Sequence, residues 1–219
     1  MHFSIFRVLL YILESKPKCK AHVDLGFLLD SSGSLKNDYH MEKNFLKAMV
    51  GSFGLGGKSH AGVITFSHKA DHSIKLKDHT DIVSFNRAVD KIKLMGYTTR
   101  IDLALRMAKE ELFKESSAKK KLLILLTDGR QTETGGYEEP SKIAEELRKD
   151  GITIYVVGIG TGIDRHELER IDKKVFVAET WSRLTSTEFT NEVQYELCVG
   201  KLFYSHQGGY PSHFEITLY

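Results

Sequence analysis

Leu122-Leu123-Ile124-Leu125-Leu126 is an unbroken run of five apolar residues, preceded by Lys119-Lys120-Lys121 and followed by Thr127-Asp128-Gly129. A strand with one wet face alternates apolar and polar residues. A run of strand length that does not alternate must be covered on both sides, which is the condition of a central strand in a parallel sheet. Val23 to Leu29, Ala61 to Ser67 and the β-branched run Ile152 to Gly158 read the same way. Asp71 to Lys77 differs, because Ile74 and Leu76 alternate with charges, and the few residues separating it from Ser67 predict an antiparallel hairpin at an edge. Lys174 to Ala178 makes a sixth strand. The three lysines before Leu122 read as a solvated guard on an aggregation-prone strand.

Between these runs the apolar period changes to that of a helix. Leu35, Phe45, Leu46, Met49, Val50 and Phe53 include one helical stripe that ends near Gly54 and Gly56-Gly57. Ile82, Phe85, Val89 and Ile92 mark a second helix, and Ile101, Leu105, Ala108 and Leu112 a third. Tyr137 to Lys149, stopped by Asp150-Gly151, predicts a fourth, Asp164 to Ile171 a short fifth, and Thr187 to Leu197 a closing one, with Trp181 as a packing anchor beneath it. Strand and helix alternate, so the fold class is α/β: a doubly wound, mostly parallel six-stranded sheet with one antiparallel edge strand and helices on both faces.

At 219 residues, 41% hydrophobic and 27% charged, the chain supports one well-cored domain with short tails. The organisation expected is a segment over 1–20, a domain over 21–199 and a tail or linker over 200–219. Phe3 to Leu13 is apolar but broken by Arg7 and too short to span a bilayer, leaving a weak secretory signal or the start of a fragment as two open readings. A net charge of +2 excludes the strong basic field expected of a nucleic-acid or membrane-surface binder. The two cysteines, Cys19 and Cys198, flank the patterned region. Their placement predicts a disulfide closing nearly the whole domain, hence an oxidising, extracellular compartment; the alternative is two unrelated thiols.

Ligands of open α/β sheets collect beyond the carboxyl ends of the strands. Asp30-Ser31-Ser32-Gly33-Ser34 lies there after the first strand, with a carboxylate and two hydroxyls at alternate positions. Hard divalent cations take oxygen ligands of this kind. In a parallel sheet the end of the Leu122 strand opens on the same edge, which brings Asp128 towards Asp30. Two carboxylates around one point repel unless a cation lies between them. The polar loop Tyr97-Thr98-Thr99-Arg100 is the expected third contributor.

These residues make the chain resemble a von Willebrand factor type A domain, the fold also found as the inserted domain of integrin α subunits, over about Ala21 to Val199. The family's metal-ion-dependent adhesion site uses an Asp-x-Ser-x-Ser loop, a Thr in a second loop and an Asp in a Thr-Asp-Gly turn. The resemblance therefore implies Asp30, Ser32, Ser34, Thr99 and Asp128 as the metal set, with Thr99 chosen by its distance from Ala104-Leu105. It implies Mg2+, with Mn2+ or Ca2+ as alternatives, and an open coordination position for an Asp or Glu carboxylate of a partner. Ile101 stands where the family often repeats Thr. The short Gly158 to Asp164 segment leaves no room for the extra helix of collagen-binding integrin domains, so matrilins and the A domains of collagens are the closer likeness. The implied partner is a matrix or cell-surface protein presenting an acidic residue, collagen among the candidates, with no nucleic acid and no membrane insertion. Movement of the last helix on ligand binding is implied too, damped by the Cys19–Cys198 bridge.

Two other functions compete with adhesion. Phosphoryl transfer with Asp30 as nucleophile would need an acid or base, yet Ser32 stands two residues on and no lysine or histidine occupies the loop. A metal-independent or self-associating matrix module would keep the fold and leave the five site residues unexplained. Gly158-Ile159-Gly160-Thr161-Gly162 fails the dinucleotide spacing and reads as turn glycines. His60, His68, His72 and His79 lack the spacing of a zinc site. The chain is therefore expected to bind rather than to catalyse.

Overall fold

The computed structural model describes residues 19, 22–56 and 59–199. Apart from Cys19, the expectations for 1–20 and 200–219 lie outside the described residues. Strands β1 (Val23–Asp30), β2 (His60–Phe66), β3 (Ala70–Ile74), β4 (Lys120–Thr127), β5 (Ile152–Ile159) and β6 (Val175–Ala178) form a six-stranded sheet in the order β3-β2-β1-β4-β5-β6. Every pairing is parallel except β2 with β3. The sheet is the one expected, with the Leu122 strand at its centre beside β1.

Among the described residues seven α-helices cover it: α1 (Tyr39–Phe53), α2 (Ile82–Lys91), α3 (Ile101–Met107), α4 (Pro140–Lys149), α5 (Arg165–Ile171), α6 (Trp181–Leu184) and α7 (Thr187–Val199). Successive strand side chains point to opposite faces, and the core divides accordingly. Leu25, Phe27, Leu29, Leu122, Ile124 and Leu126 pack with α1, α2, α6 and α7. Leu28, Leu123 and Leu125 pack with α3, α4 and α5 on the other face. All eight residues of β1 are buried, Asp24 and Asp30 included, so its carboxyl end carries a charge into the interior.

Three boundaries differ from the sequence reading. The fourth helix starts at Pro140 rather than Tyr137, because the residue before a proline is pushed out of the α region and Glu139 is extended (φ −64°, ψ 116°). The edge strand stops at Ile74 rather than Lys77, since Asp78 accepts a hydrogen bond from the Lys75 N–H (2.8 Å) and closes a turn. The Ile101 to Leu112 stripe is an α-helix only to Met107 and continues as one π turn over Ala108–Leu112. That turn seats Leu112 over Gly26 and Gly62, paired neighbours on β1 and β2; a Cβ at either would come within 2.7 Å of a Leu112 methyl. Trp181 is half-buried against the first core layer at the start of α6. Among the described residues no helix is long and apolar enough to cross a membrane.

Cys19 and Cys198 form the expected disulfide, with Cα atoms 5.1 Å apart and a sequence separation of 179. The Cys19 N–H donates to the Ser52 carbonyl (3.1 Å), so the bridge joins the far ends of α1 and α7. A loop this long restricts the unfolded chain strongly. Replacing both cysteines by serine is expected to lower stability by about 3–5 kcal/mol, read as a lower denaturant midpoint with a steeper slope as the unfolded chain expands; an unchanged midpoint would mean that the bridge adds nothing.

Candidate metal centre

Parallel pairing of β1 with β4 sets Leu29 opposite Leu126, so both chains leave the sheet side by side. Asp30, wholly buried, accepts from the Thr127 hydroxyl (2.6 Å) and from the Ser32 N–H (2.9 Å). The chain then enters a short 3-10 turn, Gly33–Lys36, which turns Ser34 towards the end of β4. Ser34 donates to Asp128 Oδ1 (2.9 Å), and the Ser32 and Ser34 hydroxyl oxygens are 3.1 Å apart. A serine has one hydroxyl proton. With that of Ser34 committed to Asp128, Ser32 is the donor between the two serines. Asp30, Ser32, Ser34 and Asp128 thus form one hydrogen-bonded chain across two loops.

The second loop is tied to the first by its backbone. The Met95 and Gly96 N–H groups donate to the Ser31 hydroxyl (2.7 Å) and carbonyl (2.8 Å), and the Gly33 N–H donates to the Tyr97 carbonyl (3.0 Å). Thr99 is buried, and its hydroxyl oxygen lies 3.3 Å from where a Cβ on Gly129 would stand. Thr99 therefore borders the Asp128-Gly129 turn without a hydrogen bond to the other four residues. Its backbone is held on both sides: the Thr132 N–H donates to the Thr99 carbonyl (2.7 Å), and the Thr99 N–H donates to the Thr132 hydroxyl (3.2 Å). Gly162 approaches from the third side, where a Cβ would fall 2.8 Å from the Asp128 carbonyl oxygen.

Sequence reasoning missed the residues that hold this second loop. Arg100 meets Asp102 in a bidentate ion pair (2.8 and 2.7 Å) with both side chains buried, and donates to the Thr134 hydroxyl (2.8 Å). Gln131 donates to Asp102 Oδ1 (2.8 Å) and accepts from the Asp102 N–H (3.1 Å), while the Glu138 N–H donates to Asp102 Oδ2 (3.2 Å). Burial alone would raise the Asp102 pKa. The bonds from Arg100, Gln131 and Glu138 outweigh it and hold the carboxyl below its usual value. Ile101, the departure from the family pattern, is wholly buried at the start of α3.

Charge at the site is costly without a counter-ion. Burial raises Asp30 to about 7 against the bonds from Thr127 and Ser32, and the charge of Asp128 adds to the rise. Burial also raises Asp128, offset in part by Ser34. Among the described residues no cluster of three or more His, Cys, Asp or Glu is placed to hold a metal. The donor set is instead hydroxyl oxygens backed by two carboxylates, which suits a hard divalent cation. His60 bonds Asp24 (2.8 Å) and His72 pairs with Glu111 (3.2 Å), both away from these loops.

The rim carries an exposed aromatic. Tyr97 is 75% exposed, has a positive φ of 73° and stacks edge-on with His68 (4.8 Å between centroids). Just beyond it, Met95 joins Thr65, Lys69, Asp71, Lys91 and Lys93 in lining an open groove of about 380 Å³, three lysines against one carboxylate. A basic groove thus adjoins the acidic site.

A family model described as the von Willebrand factor type A domain matches residues 24–191. The collagen alpha-1(XXI) chain of Xenopus laevis is 30% identical over 165 residues, which is 74% of this chain and 17% of that one. Matrilin-3 of Gallus gallus is 29% identical over 181 residues, 75% of this chain and 39% of that protein. Among solved structures, proximal thread matrix protein 1 from the mussel byssus, with a zinc-occupied MIDAS motif, matches with a TM-score of 0.75 at 30% identity, covering 83% of this chain and 47% of that chain. The chain spans less than half the length of each of these relatives.

The buried pair predicts how the second loop fails. Asp102→Asn leaves the Arg100 guanidinium buried and unpaired, at an expected cost of about 3 kcal/mol in unfolding free energy. Because the folded-state pKa is depressed, the stability Asp102 contributes is present above its usual value of 3.8 and is lost as pH falls below it. Chemical denaturation at pH 7 and pH 3 checks both points: the wild type loses more than the variant between the two, and equal losses would sink the assignment.

Proposed function

Because the chain belongs to the von Willebrand factor type A domain family, we propose that it is an extracellular adhesion module that captures a partner's Asp or Glu carboxylate through a divalent cation. Asp30, Ser32, Ser34, Thr99 and Asp128 would hold that cation. The observation that carries the reading is the hydrogen-bonded chain Asp30–Ser32–Ser34–Asp128, which gathers two hydroxyls and two carboxylates in one place. The bound cation would supply a positive centre with a position left for an anionic oxygen from outside. Ser32 and Ser34, as neutral donors, leave that centre strongly electrophilic. Asp30 and Asp128 act behind them by accepting hydrogen bonds and balancing charge.

Mg2+ fits the all-oxygen donors best, with Mn2+ and Ca2+ as alternatives; the zinc-occupied MIDAS motif of the mussel protein makes zinc a further ion to test. The matrix relatives and the disulfide support an extracellular setting and a matrix or cell-surface partner, collagen among the candidates. Tyr97 and the lysine groove suit the same partner, offering an aromatic contact and positive charge beside the captured acid. Catalysis has less support, since the groups bonded to Asp30 and Asp128 are hydroxyls and a backbone N–H, without a lysine or histidine to move a proton.

Thermal melts and capture of immobilised matrix proteins, each in EDTA and in millimolar Mg2+, test the proposal. At a cation concentration 100 times Kd the folded state gains about 2.7 kcal/mol, which for a domain of this size raises Tm by about 5–10 °C. Capture should require the ion and vanish in Asp30→Ala. Melting and capture that are identical in EDTA and Mg2+ would instead favour the metal-independent matrix module.

A further inference from the structure

Glu42 is a wholly buried carboxyl group with neither oxygen hydrogen-bonded among the described residues. It sits in the first turn of α1, where the core stripe Phe45, Leu46, Met49, Val50 and Phe53 extends back through Glu42 to Tyr39. Position in that stripe calls for an apolar side chain. A carboxyl group placed there without a partner is strongly disfavoured if ionised and leaves polar atoms unsatisfied if neutral. Ordinary packing does not explain it, since methionine or leucine would fill the same space without the burden.

The surroundings of Glu42 connect it to the metal site. Burial pushes the Glu42 carboxyl well above its usual range, and the charges of Asp30 and Asp128, one from each of the two acidic loops, push it further. Tyr39, one turn earlier on the same helix, is buried with a hydroxyl that has no hydrogen-bond partner among the described residues; burial raises its pKa, and the charges of Glu42 and Asp30 add to the rise. No lysine, arginine or histidine acts on Glu42 among the described residues. Three carboxyl groups thus converge around the first loop with no cationic side chain to balance them. Asp30 and Asp128 have hydroxyl and backbone donors; Glu42 has none. What the group lacks is positive charge close by, and the place on this molecule built to receive positive charge is the adjoining metal site.

We propose that Glu42 is a third acidic member of the metal centre, acting through its charge from beneath the first loop rather than as a ligand, and that it raises the affinity of the site for divalent cations. This rests on the metal-site reading above. With cation bound, the buried negative charge is compensated; without it, Glu42 is a liability to the fold. The same residue therefore lowers the stability of the metal-free protein and tightens the hold on the ion. Its charge also offsets part of the cation's pull on an incoming carboxylate, so the site trades partner affinity for metal retention.

The test uses the full chain with Glu42→Gln, which removes the charge at constant shape, and Glu42→Met, which also removes the polar atoms. Calorimetric titration with Mn2+ and Mg2+ should show both variants binding at least about tenfold more weakly than wild type, the range seen when groups behind metal ligands are removed. In EDTA, Glu42→Met should melt above wild type, and the rise in Tm on adding Mg2+ should shrink in both variants. Glu42→Asp, which keeps the charge, should stay closer to wild type in cation affinity than Glu42→Gln. If wild type binds the cations and Glu42→Gln binds them within twofold, Glu42 is a core residue with no part in the site, and the adhesion reading stands without it. If Glu42→Met melts lower than wild type in EDTA and binds cation normally, the proposal fails as well. If wild type itself binds no divalent cation, both readings fall, and Asp30→Ala will then leave partner capture unchanged.

Discussion

The hydrogen bond from Thr127 to Asp30 is the point from which the rest of the functional end is arranged. It joins the last residues of β4 and β1, and its 2.6 Å length holds a wholly buried carboxylate that the parallel sheet has carried into the interior. Were the two strands antiparallel, their carboxyl ends would lie on opposite edges and Asp128 could not reach Ser34. Covering both faces of the sheet thus does two things. It stabilises the fold by removing apolar surface from water, and it places Asp30 where ionisation is disfavoured unless positive charge is supplied.

The loops around Asp30 are fixed by backbone bonds more than by side-chain packing. Ser31 receives Met95 and Gly96, Tyr97 receives Gly33, and Thr99 exchanges two bonds with Thr132. Arg100 and Asp102 then lock the second loop to the segment 131–138. This is preorganisation in the useful sense: the donors are already turned towards one place, so less ordering remains to be done when an ion or partner arrives. Tyr97, exposed and held at positive φ, is the part of the arrangement that faces outward under strain.

Much of this was legible in the chain. Unbroken apolar runs identified β1, β4 and β5, the alternation at Ile74 and Leu76 identified the edge, and strand-end position brought out Asp30, Ser32, Ser34 and Asp128. What escaped depended on relations between distant segments. Nothing in the sequence pairs Arg100 with Asp102; the folding of separate loops places Gln131 and Glu138 against them. Glu42 is a charged residue within the apolar stripe of its helix, so the hydrophobic period does not bring it out and only its burial does. Tyr137 to Glu139 looked helical by composition, yet Pro140 forbids it, and the freed Glu138 N–H is what reaches Asp102.

The last helix shows how the opposite end of the domain bears on the site. α7 is fastened by the disulfide at Cys198, by Gln194 donating to the Ala48 carbonyl (2.9 Å), by Lys120 donating to the Leu197 carbonyl (2.8 Å) and by the Lys174–Glu196 pair (2.7 Å). Sliding α7 along the sheet would break the three non-covalent links, at about 1 kcal/mol for each neutral bond and more for those to charged groups, while the disulfide limits how far its end can travel. A ligand shifts such an equilibrium only by its differential affinity for the two states. One captured carboxylate would have to supply all of that difference through Ser31, Ser34 and α1. The fastening therefore favours a site whose competence is set by its loops and its buried carboxylates, with α7 serving as a fixed wall of the core.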